Sequence, residues 1–327
     1  MLTVGLIGAG RIGRVHASTI VQDEGSQLVA VADSVDENAK NLAKLYKVNP
    51  RSVDAIFEDN SIEAILIASS TDTHSDFIEK ASIAGKAILC EKPVDLSLAR
   101  AKRCLENTKS NEHSIMMGFN RRFDPNFVAL KNALDGGEIG TAELLSITSF
   151  DPAPPPIDYV KVSGGIFKDM MIHDFDMANF LYGELPKSVF VSASAIIDKK
   201  IGALGDYDTA VATLKYRDGR LAVIKNSRRA TYGYDQRIEV LGSKGLLQVQ
   251  NMVENSMVKS TEMGVESSKP EYFFLERYKS AYQNEWTAFV TAVKTKTPMP
   301  VSLSDGIAAL AIAEAAAASA EMGSEVE

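Results

Sequence analysis

An acidic, histidine-bearing stretch in the middle of the chain has the spacing of one helix face. Residues 164–181 read GGIFKDMMIHDFDMANFL, and Asp169, His173 and Asp176 stand at positions i, i+4 and i+7. A polar stripe on an otherwise apolar helix must meet water, a partner or a substrate. An imidazole that titrates near neutral pH can act as a general base, and a carboxylate one turn away can support it. The alternative is a capped helix with a solvated acidic stripe.

Lys92 is the second residue whose setting suggests chemistry. It stands between Glu91 and Pro93, just after a predicted strand at residues 86–90. The proline biases the backbone of Lys92 towards an extended conformation. A lysine held at the end of a strand can place positive charge on a developing alkoxide. The alternative is a surface lysine that pairs with Glu91.

A glycine-rich loop near the N-terminus has the arrangement that binds a dinucleotide. The apolar run at residues 2–7 predicts a strand, and Gly8-Ala9-Gly10-Arg11-Ile12-Gly13 follows it and leads into a helical pattern. In this motif the first glycine permits the tight turn, and the second lets the backbone approach a pyrophosphate. The third lets the helix pack on the strand, with its N-terminal N–H groups facing the phosphates.

Asp33 ends the second apolar run, 20 residues after Gly13. This is the spacing of the acid that binds the adenosine ribose, where a carboxylate accepts hydrogen bonds from the 2′- and 3′-hydroxyls and repels a 2′-phosphate. The position therefore favours NAD over NADP. The alternative is a turn or N-cap aspartate.

The elements that position these residues fall into two patterns. Predicted strands at residues 63–68, 86–90 and 114–118, each mostly apolar, alternate with helical patterns, which predicts a doubly wound parallel sheet. Ligands bind at the carboxyl ends of such strands, where the polar segments SSTDTH at residues 69–74 and EKP at residues 91–93 lie. His74 can contact a cofactor there or pack within the fold.

After residue 119 the pattern changes. A proline-rich loop covers residues 151–156, and half-polar alternation with hairpin turns begins after residue 187. We therefore predict an α/β Rossmann domain at residues 1–119. An α+β domain with a large, open, mostly antiparallel sheet is predicted at residues 120–327, with C-terminal helices at about residues 304–321 packing back on the Rossmann domain.

Composition excludes several classes of function. The 327 residues carry a net charge of −8 with no cluster of lysine and arginine, which disfavours nucleic acids and anionic membranes. The two cysteines form no CxxC motif, which indicates a reducing compartment, and we expect a cytoplasmic protein. The chain has no HExxH motif, and Lys92 would oppose a cation near His173, so no metal site is expected.

Motifs along nearly the whole chain resemble one family. They are GLIGAGRIGRVHA at residues 5–17, EKP at 91–93, GFNRRFDPNF at 118–127, DPAPPP at 151–156, the stretch at 164–181, SRRATYGYDQRIEVLGSKG at 227–245, EWTAFVTAV at 285–293 and VSLSDGIAALAIAEAA at 301–316. Together they resemble the glucose–fructose oxidoreductase/inositol dehydrogenase family of NAD(P)-dependent oxidoreductases. The GG-x₃-D-x₃-HD pattern combined with YGYDQR narrows the resemblance to the inositol dehydrogenase branch.

The resemblance implies roles for individual residues. The catalytic residues would be Lys92, Asp169 and His173, and these three, with Asp176 and Tyr234, would bind the substrate. Tyr234 is preferred to Tyr232 within the YGY segment. The residues assigned to the cofactor are Gly8, Gly10, Arg11, Ile12, Gly13, Asp33, Ser70, Thr71, His74, Glu91, Lys92 and Asn120.

The activity implied is NAD-dependent oxidation of myo-inositol to 2-keto-myo-inositol by a homotetramer that assembles through the open sheet face. Two residues depart from the family pattern: Phe150 stands where a basic residue is usual, and Asn179 where a larger side chain is common. The alternatives are a dehydrogenase of another inositol isomer or of a sugar, and an NAD-sensing co-repressor. The co-repressor reading predicts the loss of Lys92 or His173, and the chain has both.

Overall fold

The computed structural model describes residues 1–327, which divide into two compact units. The first unit comprises Met1–Phe123 and Ser280–Leu310, and the second comprises Asp124–Lys279 and Ala311–Glu327. The chain therefore returns to the first unit after most of the second is complete. Residues 280–310, which the sequence analysis assigned to the second domain, are grouped with the first unit.

The strands and helices follow one another in chain order. The strands are β1 Leu2–Ile7, β2 Ser26–Ala32, β3 Asn49–Pro50, β4 Ala64–Ile67, β5 Ala87–Glu91, β6 Ile115–Gly118, β7 Ala142–Phe150, β8 Ser188–Ser194, β9 Thr209–Lys215, β10 Leu221–Ser227, β11 Asp235–Gly242, β12 Gly245–Val249, β13 Val258–Thr261 and β14 Gly264–Ser267. The α-helices are α1 Arg11–Gln22, α2 Asp36–Tyr46, α3 Val53–Glu58, α4 His74–Ile83, α5 Leu98–Thr108, α6 Pro125–Asp135, α7 Ile157–Ser163, α8 Ile172–Tyr182, α9 Lys199–Ala203, α10 Phe274–Arg277, α11 Lys279–Thr295 and α12 Leu303–Met322. Short 3₁₀ turns cover Thr71–Thr73, Lys109–Ser114 and Asn120–Phe123, and a π-helical turn covers Phe167–Met171.

The first unit contains a six-stranded sheet in the order β3-β2-β1-β4-β5-β6. All of its pairs are parallel. Every residue of β4 (Ala64–Ile67) is buried, as expected for a strand covered by helices on both faces. The strand order reverses between β1 and β4, the topological switch point where doubly wound sheets bind ligands. The predicted Rossmann sheet is confirmed.

Helix α11 belongs to the first unit although it follows the second in sequence. Its Trp286 is buried, and the indole Nε1–H donates to Oγ of Ser26, at the start of β2, over 2.9 Å. A buried indole nearly always finds such a partner. This bond anchors α11 to the amino-terminal end of β2 in the parallel sheet.

The second unit contains a six-stranded mixed sheet in the order β12-β11-β7-β10-β9-β8. Four pairs are antiparallel, and the predicted hairpins join β9 to β10 and β11 to β12. Strand β7 pairs in parallel with β10, which places both at the centre of the sheet. The predicted open, mostly antiparallel sheet is confirmed, and the parallel central pair is an addition to it.

The two faces of this sheet differ in burial. Ile147, Ala212, Leu214 and Ile224 are on the buried face. On the other face the register places four exposed leucines side by side, namely Leu144, Leu221, Leu241 and Leu246. Phe190 and Val211 are also exposed on this face, next to polar residues. An exposed apolar surface of this kind is typical of an interaction site.

Helix α12 is long and apolar enough to cross a membrane by length and composition alone. Half of its most apolar window is nevertheless buried inside the protein, and core helices of globular proteins commonly pass the same test. Within the second unit, Ser319 of this helix accepts the N–H of Val191 at 2.9 Å. The helix therefore packs on the protein along this part of its length.

Candidate active site

The glycine loop after β1 has no room for side chains at two of its three glycines. Gly8 has a φ of +103°, and a Cβ atom there would lie 2.2 Å from the carbonyl oxygen of Ala68. A Cβ on Gly13 would lie 1.9 Å from the carbonyl oxygen of Gly8. Gly10 has nothing within 4 Å of that position and is the N-cap of α1 without a side-chain hydrogen bond. The loop thus leaves an open approach to the first N–H groups of α1, which suits a phosphate.

Asp33 lies at the end of β2, directly against this loop. Its Oδ2 accepts the backbone N–H of Ala9 over 2.6 Å, and its Oδ1 accepts that of Val35 over 2.8 Å. The side chain is partly exposed, so it can accept further hydrogen bonds from a ribose. The carboxylate therefore fixes the loop as well as facing the position expected for the cofactor.

The polar segment after β4 forms a 3₁₀ turn tied by its own side chains. Thr73 Oγ1 donates to the carbonyl oxygen of Ser70 over 2.7 Å and lies 2.7 Å from Oγ of Ser69. Ser70 is exposed and Thr71 is partly exposed. Both side chains therefore remain accessible at the carboxyl end of the sheet.

His74 is buried between two loops of the first unit. Its Nδ1 lies 2.8 Å from the carbonyl oxygen of Pro93, and its Nε2 lies 3.2 Å from that of Ser69. Burial lowers the pKa of this imidazole, and a neutral ring has one N–H, so we assign the donated bond to the shorter contact with Pro93. The structure thus gives His74 the packing role that the sequence left open, and it links the SSTDTH segment to the EKP segment.

Glu91 pairs with a histidine of α1. Its Oε1 lies 2.7 Å from Nε2 of His16, and the His16 ring packs edge-on against Tyr282 at a centroid distance of 5.4 Å. Lys92 follows Glu91 at the carboxyl end of β5, with a cis peptide bond to Pro93. The Glu91 carboxylate is therefore engaged by the fold of the first unit.

The residues that follow β6 are also buried in the first unit. Asn120 and Arg121 are buried in a 3₁₀ turn, and Arg122 Nη2 lies 3.2 Å from Oδ1 of Asp305. The ion pair gives Arg122 a structural role within the first unit. Asn120 lies two residues after the carboxyl end of β6. Its assignment to the cofactor stays a prediction.

The residues of the first unit fit a dinucleotide. Gly8 and Gly13 form a backbone cradle that a Cβ atom would fill, α1 presents an uncapped N-terminus, and Asp33 stands at its side. These are the three parts of a pyrophosphate and ribose site in a doubly wound sheet. No group of three or more histidine, cysteine, aspartate or glutamate side chains has the arrangement of a metal site.

In the second unit, two glycines begin the stretch at residues 164–181 that contains Asp169, His173 and Asp176. Gly164 and Gly165 have φ values of +82° and +78°, and a Cβ atom on Gly165 would lie 2.6 Å from Oδ1 of Asp206. The same oxygen accepts the backbone N–H of Ile166 over 2.9 Å. Asp206, distant in sequence, therefore caps the first N–H group, and only a glycine permits this approach.

The stretch is not one regular α-helix. Phe167–Met171 forms a π-helical turn that contains Asp169, and α8 begins at Ile172. A π-helical turn bonds residue i to i+5 and rotates the residues before it relative to those after it. The expected i, i+4, i+7 face is therefore broken at its first member. Such turns inside helices are frequent at functional sites.

The carboxylate of Asp169 is held by two side chains of the second unit. Its Oδ1 accepts the hydroxyl of Tyr159, on α7, over 2.8 Å. Its Oδ2 lies 3.5 Å from Nη1 of the buried Arg228. Both partners were missed by sequence reasoning because neither has a helical spacing from Asp169. The SRR segment that contains Arg228 was noted only as a family motif.

The polar residues of α8 divide between a half-buried histidine and two buried acids. His173 is half-buried, whereas Asp174 and Asp176 are buried. Asp174 accepts Oγ–H of Ser149 at 2.6 Å and Nδ2–H of Asn226 at 2.8 Å. Asp174 thus bonds α8 to the central strand pair β7 and β10.

The two tyrosines of the YGY segment have different environments. Tyr232 is 46% exposed, and its hydroxyl donates to Oδ2 of Asp235 at 2.5 Å. Tyr234 is buried, with its ring edge-on to Tyr278 at 5.9 Å. The assignment of Tyr234 and Asp176 to the substrate stays a prediction.

Two family models match the chain, one for each pattern found in the sequence. A model described as oxidoreductase family, NAD-binding Rossmann fold, matches residues 2–119. A model described as the GFO/IDH/MocA C-terminal domain matches residues 127–248. The two matches lie within the parts of the chain predicted to bind a dinucleotide and to carry the mixed sheet.

Curated relatives match over nearly the whole length. The chain is 49% identical to inositol 2-dehydrogenase of Rhizobium meliloti over 312 residues, which are 95% of this chain and 94% of that protein. It is 45% identical to myo-inositol 2-dehydrogenase of Thermotoga maritima over 322 residues, 98% of this chain and 96% of that protein. It is 33% identical to scyllo-inositol 2-dehydrogenase (NAD(+)) of Bacillus subtilis over 319 residues, 93% of this chain and 92% of that protein.

Solved structures share the whole fold. A myo-inositol dehydrogenase from Corynebacterium glutamicum superposes with a TM-score of 0.96 at 40% identity, covering 100% of this chain and 98% of that one. A myo-inositol dehydrogenase from Lactobacillus casei, in complex with NAD(H) and myo-inositol, has a TM-score of 0.90 at 26% identity, covering 100% of this chain and 96% of that one. The chain therefore belongs to the GFO/IDH/MocA family of oxidoreductases, with an NAD-binding Rossmann fold at its N-terminus.

Proposed function

We propose that the protein oxidises myo-inositol to 2-keto-myo-inositol (scyllo-inosose) and reduces NAD to NADH. The observation that carries this proposal is the 49% and 45% identity, over nearly the whole chain, to relatives named inositol 2-dehydrogenase and myo-inositol 2-dehydrogenase. The cradle formed by Gly8 and Gly13, with Asp33 beside it, supports NAD as the cofactor.

The chain supplies the proton chemistry, since NAD accepts the hydride when it is bound. His173 takes the proton of the reacting hydroxyl as general base, a role worth roughly 10²–10⁴-fold in rate. Asp169 supports the imidazolium that forms, because an anion nearby favours the charged ring. Lys92 donates to the reacting oxygen and stabilises its developing negative charge.

The remaining hydroxyls of the substrate need neutral or acidic hydrogen-bonding groups. Asp176 and Tyr234 supply an acceptor and a donor for this purpose in our proposal. A neutral cyclitol presents only hydroxyl groups, each of which donates and accepts, so it needs no cluster of cations. The proposed substrate and the acidic character of the α8 stretch are therefore compatible.

The proposal is tested by NADH formation on a panel of polyols. Initial rates are measured with myo-inositol, scyllo-inositol and glucose, each with NAD and with NADP. We expect the highest kcat/KM with myo-inositol and NAD. The Lys92→Ala variant should lose roughly 10²–10³-fold in kcat, as when one transition-state donor is removed, while Lys102→Ala, an exposed lysine on α5, keeps the original rate.

A second candidate function is the oxidation of another inositol isomer or of a sugar. The relative named scyllo-inositol 2-dehydrogenase, at 33% identity, favours this alternative. Turnover of scyllo-inositol or glucose with none of myo-inositol would replace the first proposal by the second. Full turnover by the Lys92→Ala variant would contradict the proposed chemistry with either substrate.

We further propose a cytoplasmic homotetramer that assembles through the exposed apolar sheet face. Cys90 and Cys104 are free and buried, as suits a reducing compartment. Phe190, 42% exposed, lies on this face. A Phe190→Lys variant should dissociate in light scattering, and Met263→Lys, exposed on the β13–β14 hairpin, is the matched control. A tetramer that survives Phe190→Lys, or a monomeric parent protein, would contradict the proposal.

A further inference from the structure

A buried arginine that no motif assigns lies beside the proposed catalytic aspartate. Arg228 directly follows β10, and 1% of its side chain is exposed. Its Nη1 lies 3.5 Å from Oδ2 of Asp169, and its Nη2 lies 3.9 Å from Oδ2 of Asp206. One guanidinium therefore stands between two carboxylates of the second unit.

The other contacts of these carboxylates connect Arg228 to the π-helical turn. Asp206 accepts the N–H of Ile166, the residue that precedes the turn, at 2.9 Å. Asp169 lies within the turn and accepts the hydroxyl of Tyr159 at 2.8 Å. Arg228 thus connects Asp206, which caps the start of the turn, with Asp169, which lies in the turn.

Comparison with another buried arginine of the same unit separates a positioning role from a stabilising one. Arg277 donates to both carboxylate oxygens of Asp124 through its two terminal nitrogens, the forked geometry of a strong structural pair. The Nε atoms of both arginines are buried without hydrogen bonds, but Arg228 has no such fork, because its Nη2 and the Oδ2 of Asp206 are also buried without hydrogen bonds. Buried polar atoms left in this state cost stability, so stability alone does not account for Arg228.

We propose that Arg228 is a positioning residue for the reaction. A guanidinium is always charged, and inside the protein its field acts on Asp169 with little screening by water. Through its contact at 3.5 Å it holds the Asp169 carboxylate in place, so that this carboxylate can support the imidazolium of His173. The inference rests on the proposed dehydrogenase function.

The experiment compares Arg228→Met and Arg228→Lys with Arg229→Met, whose side chain is exposed at the next position. Arg228→Met should lose about 10- to 100-fold in kcat, the range typical when a residue that orients another functional side chain is removed. The KM for NAD should be unchanged. Arg228→Lys should retain a larger part of kcat because the charge is kept. Added guanidinium ion should raise kcat of Arg228→Met and leave that of Arg229→Met unchanged.

A measurement independent of turnover tests the contact itself. The losses in melting temperature of Arg228→Met and Asp169→Asn should not add in the double variant, because each removes the same ion pair. Additive losses, or a kcat of Arg228→Met equal to that of the parent protein, would overturn the inference about Arg228 but leave the proposed dehydrogenase function unaffected. Equal kcat of the Lys and Met variants per folded molecule, without rescue by guanidinium, would also overturn it. A parent protein that turns over no polyol would remove the proposed function and this inference together.

Discussion

Asp33 connects two parts of the nucleotide-binding loop through its own carboxylate. Its oxygens accept the N–H groups of Ala9 and Val35 at 2.6 and 2.8 Å. Asp33 therefore both shapes the site and gives it a negative charge. Replacing it should therefore change cofactor choice and also loosen the loop.

The Asp33→Ser variant should use NADP better than the parent protein does. Two charges about 4 Å apart interact by about 1–4 kcal/mol, so removing the repulsion should raise the NADP to NAD ratio of kcat/KM by roughly fivefold or more. The ratio is measured by initial rates with each cofactor. Asp36→Ser, an exposed acid at the start of α2, is the control and should leave the ratio unchanged. An unchanged ratio in Asp33→Ser would exclude the ribose role.

At the scale of single residues, the sequence predicted what local spacing determines. The glycines at positions 8 and 13 and the acid at position 33 have the expected surroundings, because the strand–turn–helix unit fixes all three. The partners of Asp169 were not predictable, since Arg228 is brought to it by the sheet of the second unit. A long-range pair leaves no periodic signal in a single sequence.

The π-helical turn at Phe167–Met171 depends on the two glycines before it. Gly165 adopts a φ of +78° at a point where the Asp206 carboxylate approaches the backbone closely. The carboxylate then caps the N–H of Ile166 over 2.9 Å. The start of the turn is thus determined by a residue without a side chain and by a distant acid.

Gly165→Ala should destabilise the second unit and lower kcat. The added Cβ atom would lie 2.6 Å from Oδ1 of Asp206, and a non-glycine residue at this φ carries a backbone strain of about 1–3 kcal/mol. Gly183→Ala is the matched control, because Gly183 has a φ of +71° with nothing within 4 Å of the new Cβ atom. The melting temperature and kcat should both fall further in Gly165→Ala than in Gly183→Ala. Equal effects would show that the approach of Asp206 is unimportant.

At the scale of elements, the hydrophobic patterns predicted most strands and helices but not their exceptions. A periodic pattern does not reveal a π-helical turn, because one shifted hydrogen-bond register changes no residue type. Helix α7 was not predicted since it has seven residues and follows a run of prolines. The parallel pairing of β7 with β10 joins strands far apart in sequence, whereas hairpin signals report only neighbours.

At the scale of the whole molecule, the chain returns to its first unit through α11, and this return buries an acid. Glu285 on α11 is fully buried, and neither of its carboxylate oxygens has a hydrogen-bond partner. Burial, and next the charge of Glu91, raise its pKa well above the usual value of 4.5. Glu91 itself pairs with His16 at 2.7 Å. The folded protein therefore holds a proton on Glu285 at a pH where the unfolded chain releases it.

Glu285→Gln should make the folded protein less sensitive to alkaline pH. Between pH 4.5 and the raised pKa of Glu285, the folded state binds one more proton than the unfolded state, so the free energy of unfolding falls as pH rises. The slope for one proton is about 1.4 kcal/mol per pH unit at most. Glutamine has nearly the same shape and no proton to lose, so its stability advantage over the parent protein should widen from about pH 5 to about pH 8. Melting temperatures across this range measure the difference, with Glu106→Gln, an exposed acid on α5, as the control. Parallel pH profiles for the parent protein and Glu285→Gln would mean that Glu285 is ionised in the fold, and that a cation or water reaches it there.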